Sequence, residues 1–275
     1  MIELNFEKMY SQMAGKNYPT DCIALNAGLY AISAGGKRFR FLLSLDTAKA
    51  FKNATNKNAH RLAVAVELIH NYSLIHDDLP CMDNADERRG LPSCQKKFGD
   101  TQAVLAGDGL LTSAIEIIVG GKAEQNYFDA SKYIFKCAGF GGMIYGQSID
   151  VLNENLTFDE YKKLSKLKTS QLICASVVSQ AILAGATNDT KKLLAEFCVK
   201  LGLIYQFVDD LFDKDEDTQK TSILTFFSYE KAKEVIFIIA KEANILLNKL
   251  NDNFSKNTFN FLKTRLDEVL KRIFD

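Results

Sequence analysis

The chain has 275 residues, enough for one sizeable core that buries about three quarters of the surface its unfolded form exposes. Thirty-four basic side chains balance thirty-four acidic ones, and 47% of residues are hydrophobic. That excludes a disordered polyelectrolyte and a globally basic nucleic-acid surface. Only 3 prolines and 16 glycines occur, fewer turn formers than a β-rich fold of this size uses, so the composition points to an all-α class.

In chain order, the first nineteen residues mix Glu3, Glu7 and Lys8 into their apolar positions and so lack the unbroken apolar stretch of a secretory leader. Apolar residues then recur at three- and four-residue spacing over 21–34, 38–52, 59–78, 101–119, 127–151, 158–184, 190–214 and 229–250, which predicts helices, with a closing helix at 256–273. Gly35-Gly36, Gly90-Leu91-Pro92, Gly120-Gly121 and the polar run Lys214 to Lys220 break them. No repeat or linker divides the chain, so residues 1–275 read as one domain: a helical bundle of about ten or more helices around a deep central cavity. No apolar run reaches the length of a membrane span, since even VIFIIAKEANILL is interrupted by Lys241 and Glu242, and a soluble, cytoplasmic protein is expected. The six cysteines form no C-x-x-C pair and read as reduced thiols.

Two acidic motifs carry chemistry. His76-Asp77-Asp78-Leu79-Pro80-Cys81-Met82-Asp83 gathers three carboxylates at a helix C-terminus, where the dipole is already negative, so something positive is needed there. Asp209-Asp210-Leu211-Phe212-Asp213 follows the apolar run LGLIYQFV, and Gly202, Gln206, Asp209 and Asp213 make a narrow polar line along one helix face. Two oxygen-ligand clusters on separate helices suit Mg²⁺ bridging to substrate phosphates better than an all-protein cage. Gly35-Gly36-Lys37-Arg38-Phe39-Arg40 and Asp86-Glu87-Arg88-Arg89-Gly90 supply cations at helix breaks, as a polyphosphate site requires. An EF-hand over Asp213, Asp215 and Asp217 is rejected, because Thr218 and Leu224 stand where glycine and glutamate are required. The fragments GDGL at 107–110 and GFGG at 139–142 lack the G-K-[ST] of a phosphate-binding loop and read as sites of close helix packing.

With GQSID at 146–150 and the pair Lys168-Thr169 between them, these motifs stand in an order that resembles the all-α trans-isoprenyl diphosphate synthases, most closely the bacterial farnesyl diphosphate synthases. The likeness runs from about residue 20 to residue 240. It implies that an allylic diphosphate, held by Mg²⁺, ionises to a carbocation that isopentenyl diphosphate attacks head to tail, after which a proton is lost. Asp77, Asp78, Asp83, Asp209, Asp210 and Asp213 would hold the metals, expected to be three Mg²⁺ ions with Mn²⁺ as a substitute. Arg88, Lys168 and Lys220 would bind the allylic diphosphate, and Lys37, Arg40, His70 and Arg89 the diphosphate of isopentenyl diphosphate. Thr169 and Gln206, with Lys168, would serve the developing cation. No side-chain base is assigned, the departing diphosphate taking the proton.

The resemblance also makes Tyr72, five residues before Asp77, the floor of the product slot, with the small Ser73 beside it; the insertion Pro80-Cys81 matches the bacterial fifteen-carbon type. Farnesyl diphosphate is therefore the expected product and geranylgeranyl diphosphate the alternative. Family members carry a longer, lysine-bearing loop after the second acid motif and an arginine-rich end, here shortened to KDEDTQ-Lys220 and to Lys271-Arg272. A terpene cyclase or a silent prenyltransferase subunit shares much of the pattern, but Lys37, Arg40 and Arg89 argue for a second diphosphate, and both acid motifs are kept. The family implies a homodimer, without nucleic acid or stable membrane insertion.

Overall fold

The computed structural model describes residues 5–14, 18–152, 155–212, 221–252, 254 and 258–273, and these are overwhelmingly helical. Fourteen α-helices occur among the described residues, α5 and α12 being single turns, and the all-α class stands. The chain divides into two compact units, residues 1–45 with 54–127, and 46–53 with 128–275.

The first unit holds α1 (Phe6–Met13), α2 (Ile23–Ser33), the start of α3 (Phe39–Ala50), α4 (Lys57–Asp77), a two-stranded hairpin of β1 (Glu87–Arg88) and β2 (Leu91–Pro92), α5 (Cys94–Phe98) and α6 (Asp100–Val119). Helix α4 is its axis. It begins where the Asn56 side chain accepts the Asn58 N–H at 2.8 Å, and from Leu62 to Ile69 every residue is buried. A helix apolar on all sides must be surrounded, and α6, α2 and α1 pack against it.

The second unit holds the end of α3, most of α7 (Gln125–Ala138), then α8 (Met143–Val151), α9 (Phe158–Ser165), a π-helical turn at Lys166–Ser170, α10 (Gln171–Leu183), α11 (Asn188–Phe212), α12 (Ile223–Phe226), α13 (Tyr229–Asp252) and α14 (Asn260–Lys271). Here α11 is the axis, packed by α13, α10, the π-turn and α14. Thr157 opens α9 with a reciprocal capping box to Glu160.

Three expectations change. The helix read over 127–151 is two, α7 and α8, because a Cβ at Gly142 would lie 1.9 Å from the Cys137 carbonyl oxygen and only glycine permits that chain reversal. The helix read over 158–184 contains the π-turn, which periodicity alone does not reveal. The statement that no stretch is long and apolar enough to cross a membrane fails at α6, which passes by length and composition. It packs on α4, α2 and α5, and a core helix passes the same test. All six cysteines are free.

Candidate active site

In the first unit the acid motif is shaped by backbone hydrogen bonds. Asp77 ends α4 and Asp78 caps it; the Asp83 N–H then donates back to the Asp77 carbonyl at 2.8 Å, and Asn84 N–H to that of Leu79 at 3.0 Å. The loop therefore brings the backbones of Asp77 and Asp83 together while Pro80, Cys81 and Met82 bulge to the surface. Asp78 is different: it is 2% exposed and receives the Arg88 guanidinium, whose Nε lies 3.0 and 3.3 Å from its two carboxylate oxygens and whose Nη2 also donates to it. Burial pushes the Asp78 carboxyl up from its usual range, and the arginine works against that shift.

The hairpin aims these arginines. Arg88 pairs with Leu91 across a two-residue loop in which Arg89 (φ 58°) and Gly90 (φ 74°) are both left-handed, the signature of a type I′ turn. Consecutive side chains then diverge: Arg88 goes to Asp78, while Arg89 donates to the Gly35 carbonyl oxygen. Gly36 makes room for it, since a Cβ there would lie 2.7 Å from the Arg89 guanidinium carbon. Nearby, Arg40 Nη1 donates to His70 Nε2 at 3.3 Å. Burial, then the positive field of Arg40, Arg89, Arg88 and Arg38, holds the His70 imidazole well below its usual range and therefore neutral. Lys37 is exposed at the edge of this group. Arg38, with φ 47°, turns the other way, to Glu7 at 2.5 Å, to Glu67 and to the Ile32 carbonyl, and is an internal tie.

Tyr72 is buried, its hydroxyl pushed up to about 12 by burial and then by Asp77. Its ring meets that of His76 edge-on, 5.8 Å between centroids. His76 Nε2 donates to the Val104 carbonyl at 3.1 Å, and its ring fills the space over Gly107, where a Cβ would lie 2.1 Å from Nε2. The close packing expected at GDGL is thus present. The Ser73 hydroxyl donates to the His70 carbonyl at 2.9 Å.

In the second unit the π-turn carries Lys168 and Thr169 and is pressed between two helices at glycines. A Cβ on Gly146 of α8 would lie 2.4 Å from Lys168 N, and one on Gly202 of α11 would lie 2.3 Å from Ser170 Oγ. Lys168 Nζ pairs with Asp150 of α8. The Thr169 hydroxyl donates to Gln206 Oε1 at 2.8 Å, and Gln206 Nε2 donates to Asp210 Oδ1 at 3.0 Å. Asp210 Oδ2 accepts the Tyr161 hydroxyl and, at 2.8 Å, the Ile223 N–H. Asp209 faces the Arg272 guanidinium at 2.5 Å, which also lies 5.2 Å from the Phe212 ring centroid. Asp213 and Lys220 lie outside the described residues.

The reading of six equivalent acids is thereby refined. Asp78 and Asp210 are gripped by protein donors, and among the described residues no three of His, Cys, Asp or Glu converge on one point. Asp77 and Asp83 in the first unit, and Asp209 beside Arg272 in the second, are hard oxygen donors suited to Mg²⁺, which takes one or two carboxylates and completes its octahedron from phosphate and water, so each group of donors fits that ion. Sequence reasoning missed the functional weight of Asp150, Tyr161 and Arg272. Asp150 belongs to GQSID and Arg272 to the basic end, but their partners lie eighteen and sixty-three residues away.

A profile of the polyprenyl synthetase family matches residues 23–223. The chain is 36% identical over 244 residues to the farnesyl diphosphate synthase of Bacillus subtilis (strain 168), covering 81% of each chain. It is 39% identical over 233 residues to the chloroplastic geranylgeranyl pyrophosphate synthase of Capsicum annuum, covering 78% of this chain and 63% of that one. Among solved structures it superposes with a TM-score of 0.80 and 29% identity on a geranyltransferase from Helicobacter pylori complexed with magnesium and isoprenyl diphosphate, covering 98% of this chain and 94% of that one. With the acid motifs, the arginine hairpin and the Lys-Thr π-turn in family order, the chain belongs to the polyprenyl synthetase family and has its all-α isoprenoid synthase fold.

Proposed function

We propose that the chain is a short-chain prenyltransferase that condenses isopentenyl diphosphate with dimethylallyl or geranyl diphosphate to give farnesyl diphosphate. The observation that carries this reading is the group Arg40, His70 and Arg89, a cationic cradle built apart from the Asp77–Asp83 acids on the same unit. A cyclase uses one diphosphate; an elongating enzyme must bind a second. The family match runs through both units, which supports treating residues 1–275 as one functional domain.

In this reading Asp77, Asp83, Asp209 and Asp213 bind Mg²⁺, and Asp78 and Asp210 orient the motifs. When bound, the ions neutralise charge that gathers on the leaving diphosphate. The chain's own groups do the rest. Arg88 and Lys168, with Lys220, meet the allylic diphosphate where negative charge grows most during ionisation, which is where fixed cations lower the barrier. The Thr169 hydroxyl donates its hydrogen bond to Gln206 Oε1, so its lone pairs face away from that bond and present a negative dipole to the allylic cation. His70, held neutral, accepts from Arg40 and so fixes the guanidinium for the diphosphate of isopentenyl diphosphate.

Incubation with labelled isopentenyl diphosphate, dimethylallyl or geranyl diphosphate and Mg²⁺ should yield a fifteen-carbon product; absence of elongation defeats the proposal. Tyr72→Ala should shift the product to twenty carbons or more, read by chromatography of the dephosphorylated alcohols. The chloroplastic relative keeps a geranylgeranyl product as the alternative in the same assay. A homodimer is proposed on the stripe of α6 where Val104, Leu105, Ile115 and Val119 stay exposed, and light scattering tests it.

A further inference from the structure

Among the described residues two acids are buried: Asp78, which Arg88 holds, and Glu67 of α4, which lies outside both acid motifs and is 1% exposed. A buried carboxylate is costly unless cations and hydrogen-bond donors surround it. The partners of Glu67 therefore show what retains it. Its Oε1 faces Arg38 Nη1 and Asn71 Nδ2, each at 3.5 Å, and its Oε2 accepts the Phe41 N–H at 3.3 Å.

Each of these contacts leads to the cationic cradle. Phe41 is the third residue of α3, where backbone N–H groups have no acceptor within the helix and the dipole is positive, so a carboxylate suits that end. Arg40 stands between Arg38 and Phe41; with both neighbours gripped, its backbone is fixed and its guanidinium reaches His70 at 3.3 Å. On α4 itself, Asn71 lies one turn beyond Glu67 and donates to the Glu67 backbone carbonyl at 2.7 Å as well as to its carboxylate. That turns the amide oxygen of Asn71 to Arg89 Nη1, 3.5 Å away. One carboxylate thus stands behind both arginines. Its charge acts in the same sense: burial, then the field of Arg38, pulls the Arg89 guanidinium below its ordinary range, and Glu67 works against that shift.

We propose that Glu67 is a positioning residue for the second diphosphate, a buried negative charge that holds Arg40 and Arg89 in place through Arg38, Phe41 and Asn71 before isopentenyl diphosphate arrives. The assignment rests on the prenyltransferase reading and deepens it. Glu67 is enclosed and carries the wrong sign to touch a diphosphate, so it acts through the arginines. Cations already in place bind an anion without being ordered by it, so the effect falls on affinity for that substrate and not on ionisation of the allylic one.

The test is Glu67→Gln, which keeps the shape and an oxygen acceptor for Phe41 but removes the charge. Calorimetric titrations with isopentenyl diphosphate and with geranyl diphosphate, each with Mg²⁺, are paired with steady-state kinetics. Affinity for isopentenyl diphosphate should fall roughly tenfold and its KM rise in proportion, as loss of a hydrogen-bonded charge predicts, while geranyl diphosphate affinity and kcat at saturation stay within about twofold. Asn71→Ala, which cuts only the link to Arg89, should weaken isopentenyl diphosphate by about threefold and serves if the glutamine variant does not fold. Unchanged isopentenyl diphosphate affinity in the variants that fold overturns the assignment. So does an equal loss for both substrates, which marks a merely structural role. If the parent neither binds isopentenyl diphosphate nor elongates, it is the underlying reading that fails; parental binding matched by the variants removes Glu67 alone.

Discussion

Each unit carries an Asp-Asp pair on its axial helix, and each anchors the second aspartate of the pair, but by opposite means. Asp78 is neutralised by a guanidinium delivered on a hairpin, a charged and two-pronged contact. Asp210 is held by a phenol, an amide and a backbone N–H, three neutral donors drawn from α9, α11 and the start of α12. In the second unit the balancing cation goes instead to Asp209, brought by Arg272 just beyond α14. The same motif is thus charge-balanced locally in one unit and by a distant segment in the other. Anchoring of one carboxylate fixes the orientation of its neighbour, which suits both arrangements to presenting Asp77 and Asp209 to an ion.

The comparison breaks most sharply at those neighbours. Asp77→Ala and Asp209→Ala should each lower kcat by about a thousandfold, the upper range for removing one electrostatic stabiliser of a transition state. Steady-state kinetics with saturating Mg²⁺ checks this, and a loss confined to one of the two would show that the motifs do not share the work. The anchors come next. Arg88→Ala strands a buried carboxylate and should cost about 3 kcal/mol in urea unfolding, the low end for a broken buried pair because the arginine side chain is 37% exposed. Tyr161→Phe removes one of several donors to Asp210 and should cost only about 1 kcal/mol. Equal costs would erase the distinction between charged and neutral anchoring.

A pH-dependent effect concerns the first unit's cationic cradle. His70 resists protonation when folded but takes a proton near the ordinary histidine value of about 6.5 when unfolded. Between those values the unfolded chain binds more protons, so this contribution to stability is present above about 6.5 and is lost as the pH falls below it. The slope is at most about 1.4 kcal/mol per pH unit from this group. Denaturation midpoints from pH 7 downward should show that slope in the parent and not in His70→Gln; an unchanged slope would place the acid sensitivity elsewhere.

Much of the site was legible because its chemistry is encoded over short distances. The acid motifs, the Gly-Gly turn, the Arg-Arg pair and Lys168-Thr169 are local strings, and the three- and four-residue apolar spacing marks α4 and α11 as buried helices without reference to any partner. What was illegible depends on contacts between residues far apart. A π-turn differs from an α-helix by one residue's worth of hydrogen bonding, and here it lies where Gly146 and Gly202 let α8 and α11 approach it closely. Likewise, that Asp78 and Asp210 are anchors follows from where Arg88 and Tyr161 arrive.

The amino-acid sequence by itself settled the helical class, the order of the motifs and the kind of chemistry they serve, because composition, periodicity and short strings need no third dimension. Only the tertiary structure decided which carboxylates are consumed by the protein, which glycine breaks a helix at 139–142, and which buried carboxylate joins Arg38, Phe41 and Asn71. The physical reason is that hydrogen-bond satisfaction and steric exclusion are properties of neighbours in space. Those neighbours, such as Asp209 and Arg272, are chosen by packing and not by proximity along the chain.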